Sequence, residues 1–262
     1  MKKHKLILGA IAGDIIGSRF ERKNLKSTEF ELFTEDSDFT DDTILTVATM
    51  DALLNNKPYE KVYQEFGRKY DDRVNGYGKA FREWIYLENP EPYNSYGNGS
   101  AMRVSPIAWF CNYQTIMYEA ARSAEVTHSH VEGVKGARAV AAAIFLAKEG
   151  CNKSQILRII EGDFGYNLSR TIDEIRPDYK FDVSCQGTVP EAIIAFLESE
   201  NFEHAIRLAI SIGGDSDTIA AITGSIAEAF YGGIPKYIEK KVLKILAPEL
   251  RQIVEAFSKE VL

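Results

Sequence analysis

Cysteine is scarce in this chain, and the three present, Cys111, Cys151 and Cys185, lie far apart. An odd, scattered set offers neither a disulfide framework nor the paired spacing of a zinc site, and fits a reducing, cytoplasmic setting. Excess positive charge is also missing. With a formal charge of -7 and no locatable basic face, nonspecific binding to nucleic-acid backbone or anionic membrane is excluded, and nothing points to sequence-specific nucleic-acid binding. No apolar run is long enough to span a bilayer. Strand-like alternation is rare, and internal repeats and low-complexity tracts are absent, which removes sheet-based and solenoid folds from consideration.

What remains is a chain of 262 residues, 45% hydrophobic and 26% charged, with helical periodicity through most of its length. Ile44, Val47, Ala48 and Leu53 or Leu54 mark one helix, Val131, Val134, Ala137, Ala141, Ile144 and Phe145 a second, and Leu250, Ile253, Val254 and Phe257 a third. Thr188-Val189-Pro190-Glu191 reads as a capped helix start, and Asp217-Thr218 opens a run to Phe230 that Gly232, Gly233 and Pro235 close. The fold class is all-α, with roughly ten or more helices. Lys2, Lys3 and Lys5 before Leu6 to Ala12 imitate a secretory leader, but the apolar run is short, Asp14 interrupts it, and Ile15, Ile16 and Phe20 continue it as a helix. Gly9, Gly13 and Gly17 recur every fourth residue, so one face of that helix is bare and open to close approach by another. Arg22 to Thr40, Asn89 to Gly99 and Gly162 to Gly187 break the pattern and read as ordered loops.

The most informative residues are two acidic clusters, Phe39-Thr40-Asp41-Asp42-Thr43 and Gly213-Gly214-Asp215-Ser216-Asp217-Thr218, each at a helix start. Thr and Asp are favoured N-caps and first-turn acids complement the helix dipole, so capping alone explains one residue of each. Each cluster offers three or four oxygen-bearing residues in succession, more than a cap needs. Brought together they make an oxygen-only donor set. Without His or Cys such a set suits magnesium, manganese or calcium rather than zinc, and close aspartates require cations or protons to neutralise them.

Three further features carry chemistry. The loop from Asn94 to Arg103 ends at a helix start; its glycines permit close backbone approach and its amides could receive a phosphate, although Gly and Asn mark any tight turn. Tyr96 in that loop can pack on a sugar or base. His128 and His130 lie between two helices and read equally as capping residues or ligand contacts. Glu21, just after the first helix, reads on its own as a solvated acid at a helix end.

Taken in order, Gly13 to Glu21, Thr40-Asp41-Asp42-Thr43, Gly76-Tyr77-Gly78, Ser95-Tyr96-Gly97-Asn98-Gly99, Thr127-His128-Ser129-His130 and Gly213 to Thr218 resemble the ADP-ribosylglycohydrolases over nearly the whole chain. The resemblance implies one all-helical domain, residues 1–262, with two divalent cations, Mg or Mn, at the base of a cleft that takes ADP-ribose. It implies that Thr40, Asp41 and Asp42 hold one ion, Asp215 and Thr218 the other, and Asp217 bridges them, with Glu21 on a loop beside the metals. Gly78, Ser95, Tyr96, Gly97, Asn98 and His128 match substrate-binding residues, and Cys185 to Val189 a loop that closes the cleft. Some members carry an acid just before the Gly-Asn of the middle loop. Ser95 and Tyr96 here match the branch that acts on ADP-ribose attached through oxygen and on related esters and polymers.

The expected reaction is hydrolysis at the anomeric carbon of the distal ribose through an oxocarbenium-like transition state, with Glu21 as mobile acid or base and Asp215 second in line to handle the water. The expected partner is an ADP-ribosylated protein or a small ADP-ribose conjugate. The same donor set would serve a two-metal nucleotide pyrophosphatase or phosphoesterase, and an inactive protein could keep it to bind ADP-ribose.

Overall fold

Helical periodicity in the sequence becomes helix nearly everywhere. The computed structural model describes residues 5–73 and 76–262; Lys2 and Lys3 of the leader-like segment lie outside the described residues. In chain order come α1 (Gly9–Gly17), α2 (Asp41–Leu54), α3 (Tyr59–Tyr70), α4 (Lys79–Trp84) and α5 (Gly99–Met102). Next are α6 (Ser105–Phe110), α7 (Ile116–Glu125), α8 (Val131–Lys148), α9 (Lys153–Phe164) and α10 (Ile172–Ile175). The chain ends with α11 (Cys185–Glu198), α12 (Phe202–Ser211), α13 (Ser216–Tyr231), α14 (Lys236–Ile245) and α15 (Pro248–Val261). Among the described residues there is no strand, only an isolated bridge between Gly97 and Ser184.

The centre of the molecule is α13, buried without a break from Ser216 to Ala229 and packed against α1, α8, α11 and α12. Its contact with α1 explains the glycine spacing. A Cβ on Gly13 would lie 2.0 Å from Ala220 O, one on Gly9 2.4 Å from Gly224 O, and one on Gly17 2.6 Å from Asp217 Cα. The two helices therefore run antiparallel with backbone against backbone, as the bare face predicted. The other end of the contact is fastened by Glu228, whose carboxylate accepts from Leu8 N (2.9 Å) and Gly9 N (2.7 Å). Leu8 has no side-chain oxygen to cap α1, and Glu228 from α13 supplies it.

Local signals place the other helices. Thr40 caps α2 by accepting from Asp42 N (3.2 Å), and α13 stops at Gly232, which adopts a left-handed φ of 77°. One predicted start is wrong. α11 begins at Cys185 under a Ser184 cap that accepts from Gly187 N (3.1 Å), so the Cys185 to Val189 segment, expected as a loop, is its opening turn. Pro190 lies inside the helix, past its first turn, where it has no N–H to offer the carbonyl four residues earlier. Likewise Gly162 to Gly187 is not one loop: it contains the end of α9, all of α10 and the start of α11.

The long segment between Arg22 and Thr40 has no helix, yet it is pinned down. Lys26 Nζ donates to Tyr179 O (2.8 Å) and Ile212 O (2.6 Å), the latter at the C-terminal end of α12, where a cation is favoured. Arg207 on α12 donates to Thr28 O (2.9 Å) and Phe30 O (2.8 Å).

Candidate active site

Because α1 runs antiparallel to α13 and also packs on α2, the N-terminal ends of α2 and α13 arrive at the same place, carrying one acidic cluster each. Thr218 Oγ1 donates to Asp42 Oδ2 across 3.2 Å, although the two residues are 176 positions apart in the chain. Two helix N-termini facing one space favour negative charge there. Asp14 on α1 sets the approach of α2. Its buried carboxylate accepts from Thr40 N (3.0 Å), Thr40 Oγ1 (2.8 Å), Thr43 N (3.1 Å) and Thr43 Oγ1 (2.5 Å). Sequence reading missed this role, although an acid inside an apolar helical run was the available signal.

These acids border a cavity of about 340 Å³ whose lining includes Glu21, Asp41, Asp42, Asp215, Asp217 and Thr218. Burial raises their pKa values and mutual repulsion adds to it. Asp41 is pushed up to about 7 by burial, then by Asp14 and Asp215; Asp14 to about 6 by burial, against the hydrogen bonds it accepts. Asp42 and Asp217 rise well above the usual carboxylate range, by burial first and then by neighbouring aspartates. Glu21, half-buried, is raised by burial and then by Asp215. Asp42 Oδ1 and Asp217 Oδ1 are buried with no hydrogen-bond partner, an expensive arrangement for anionic oxygens. The donors line the cavity rather than close on one point: among the described residues, no three His, Cys, Asp or Glu side chains form a ready metal-ligating group.

The lining is completed by Ser95, Gly97, Asn98 and Gly99 of the middle loop, together with Gly78 and His128. Asn98 ties that loop to the acids and to α11: its Nδ2 donates to Asp215 Oδ2 (2.6 Å) and Thr188 Oγ1 (3.0 Å). Two amides of this loop expected to face a phosphate are already engaged, Gly97 N with Ser95 Oγ (3.0 Å) and Asn98 N with Val183 O (2.7 Å). Gly99 is crowded by the His128 ring, and Gly97 by the Ser95 hydroxyl, 3.2 Å from where its Cβ would lie. A Cβ at Gly99 would come within 3.1 Å of Nε2. The two histidines diverge: His128 turns into the cavity, whereas His130 Nδ1 accepts from Glu132 N (3.1 Å) and caps α8.

Two predicted site residues stand outside the cavity lining. Thr40 is occupied with Asp14 and the α2 cap. Tyr96 is 53% exposed at the rim, its ring edge-on to His130 at 5.5 Å. Phe181 and Val183, which sequence reading passed over, line the mouth while remaining more than half exposed. No residue-type pattern announces them; their position comes from the hydrogen bond between Asn98 N and Val183 O. Among the described residues no helix is long and apolar enough to cross a membrane.

Known proteins resemble this chain in sequence and fold. The chain is 26% identical over 305 residues to ADP-ribosylhydrolase ARH3 of Mus musculus, covering 86% of this chain and 82% of the relative, and 27% identical to its Homo sapiens counterpart, with 86% and 84% covered. It is 28% identical over 276 residues to ADP-ribosylarginine hydrolase Tri1 of Pseudomonas putida (strain GB-1), covering 89% and 72%. The fold superposes on a solved ADP-ribosylglycohydrolase-related protein complex with a TM-score of 0.73 at 23% identity, over 98% of this chain and 96% of that one. The ADP-ribosylglycohydrolase family model matches residues 3–261, so the chain belongs to that family, whose members are hydrolases of glycosidic bonds.

Proposed function

We propose that the protein is a divalent-cation-dependent hydrolase that removes ADP-ribose attached through oxygen, to a protein side chain or in a small conjugate. The observation that carries this is the meeting of the two acidic clusters, within hydrogen-bonding distance at Asp42 and Thr218, beside a cavity large enough for a substantial part of a nucleotide sugar. The orphaned carboxylate oxygens of Asp42 and Asp217, in an all-oxygen set, fit hard cations such as magnesium or manganese. Asp41, Asp42, Asp215, Asp217 and Thr218 would hold them, while Thr40, its hydroxyl engaged with Asp14 and the α2 cap, would stand behind the set. When bound, the cations supply charge neutralisation and Lewis-acid polarisation.

The chain's own groups have separate tasks. Asn98 holds Asp215 by a short hydrogen bond, so that carboxylate is oriented before substrate arrives. Glu21 is the most exposed acid at the cavity, half-buried where the aspartates are enclosed. Its raised pKa suits it to pass a proton between water and the leaving oxygen as the bond at the anomeric carbon breaks. His128 and the glycines beside it shape the wall where the diphosphate would lie. Ser95 and Tyr96, in place of an acid, favour oxygen-linked over arginine-linked substrates.

The test is product analysis on serine-, arginine- and acetyl-linked ADP-ribose, with magnesium or manganese and an Asp41→Asn, Asp42→Asn control. Free ADP-ribose from the oxygen-linked substrates is expected. AMP with ribose phosphate would make the protein a pyrophosphatase, and binding without turnover would make it an ADP-ribose binder.

A further inference from the structure

Arg103, at the end of α5, is fully buried beside the cavity and makes no ion pair among the described residues. Its Nη2 donates to Ser123 O (3.0 Å) and to Thr127 Oγ1 (2.7 Å), and its guanidinium lies 4.0 Å from the centre of the Tyr63 ring. Nε and Nη1 have no partner. A cation in this setting is costly and needs a purpose beyond packing.

The purpose is visible one residue further along. Thr127 Oγ1 lies 2.7 Å from His128 Nδ1. Arginine only donates, so Thr127 Oγ1 is an acceptor towards Arg103 and keeps its single proton for another group. The acceptors at hand are the ring nitrogen, 2.7 Å away, and the Tyr93 hydroxyl, and the unprotonated imidazole nitrogen is the stronger base. Nδ1 then carries no proton, and the proton of a neutral imidazole sits on Nε2. Burial, and secondly the charge of Arg103, push the His128 pKa well below its usual value, so the ring is neutral at physiological pH. Nε2 faces the bare backbone of Gly97 and Gly99, and His128 lines the cavity.

We propose that Arg103 and Thr127 are positioning residues which, acting in series, lock His128 as an Nε2–H donor aimed at an oxygen of the cavity's ligand. The ligand's identity as ADP-ribose rests on the function proposed above; the proton's location does not. The donor suits a phosphate or ribose oxygen, and the unpaired charge of Arg103 behind it favours an anion in front.

Long-range proton–nitrogen correlation NMR on nitrogen-15-labelled protein reads the tautomer of each histidine directly, and His128→Gln identifies the resonance. The wild type should show Nε2–H at His128. Thr127→Val, which keeps the shape and removes the hydroxyl, should move the ring to a mixed or Nδ1–H population and weaken ADP-ribose binding roughly tenfold. Thr127→Ser should restore both. Arg103→Lys, if folded, should shift the tautomer in the same direction as Thr127→Val. An Nδ1–H ring in the wild type, or a tautomer unmoved by Thr127→Val, overturns the proposal. If ADP-ribose does not bind but the tautomer responds as described, the positioning role stands and the function proposed above fails.

Discussion

Replacing Asp41 by Asn should stabilise the protein without divalent cations and remove its response to them. Asp41 is pushed from 3.8 to about 7 by burial and by the charges of Asp14 and Asp215, so at pH 8 its ionised form is held in an unfavourable place. A shift of this size corresponds to at most about 4 kcal/mol of destabilisation. The sign follows from linkage: stability contributed by a carboxyl with a raised folded pKa is full below about pH 4 and lost as pH rises through about 7. Allowing half for relaxation and for hydrogen bonds an amide makes less well, Asp41→Asn should raise the Tm in chelator at pH 8 by roughly 4–8 °C, at about 2–4 °C per kcal/mol for a chain of this length. Saturating magnesium or manganese, at a hundred times its Kd, should raise the wild-type Tm by about 5–10 °C, equivalent to about 2.7 kcal/mol. The variant should gain little. Differential scanning fluorimetry in chelator and in a magnesium series, at pH 5 and pH 8, measures all four quantities. A variant that melts below wild type in chelator and responds normally to magnesium would show that Asp41 belongs to no repelling, cation-binding group.

Glu21→Gln should cut turnover at least about a hundredfold while leaving ADP-ribose affinity near wild type, measured by product release and calorimetry; normal turnover would take the proton-transfer role away from Glu21. Glu228, raised to about 7 by burial despite the two amides it accepts from, contributes stability that is full below about pH 4.5 and lost as pH rises through about 7. Relative to Glu228→Gln, the wild type should therefore lose up to about 3 kcal/mol of unfolding free energy between pH 5 and pH 8, and a constant difference in urea denaturation would mean that the carboxylate is ionised throughout. Gly13→Ala should cost about 3 kcal/mol or more, because its Cβ would meet backbone of α13 rather than a side chain that can swing aside; a midpoint within about 0.5 kcal/mol of wild type would contradict the backbone contact.

Much of this was legible because local signals and tertiary needs agree. The Thr40 cap, the glycine stop after α13 and the spacing of Gly9, Gly13 and Gly17 each report their own structure, and both acidic clusters lie at helix starts as their composition demands. The errors occur where remote atoms decide. Thr188 looked like a cap because a hydroxyl before proline and an acid is the usual local pattern, but its hydroxyl is used by Asn98 and Asp182 O, and Ser184 caps the helix instead. The amides of Gly97 and Asn98 looked free because their acceptors, a neighbouring side chain and a distant carbonyl, cannot be inferred from a Gly-Asn-Gly string. Asp14 and Arg103 carry no motif; only burial beside particular hydroxyls reveals what they do.

The backbone contact between α1 and α13 also bears on when this enzyme comes into being. The tie from Leu8 to Glu228 spans 220 positions, so it is among the longest-range links in the molecule, and closing such a loop carries a large entropic cost. Until α13 emerges during synthesis, the bare side of α1 has no surface to dock on, and the carboxylates of α2 have no second set to face. Residues 1–215 must therefore be made before the second acidic cluster has its helix, and a complete set of carboxylates exists only once α1 and α2 have met α13.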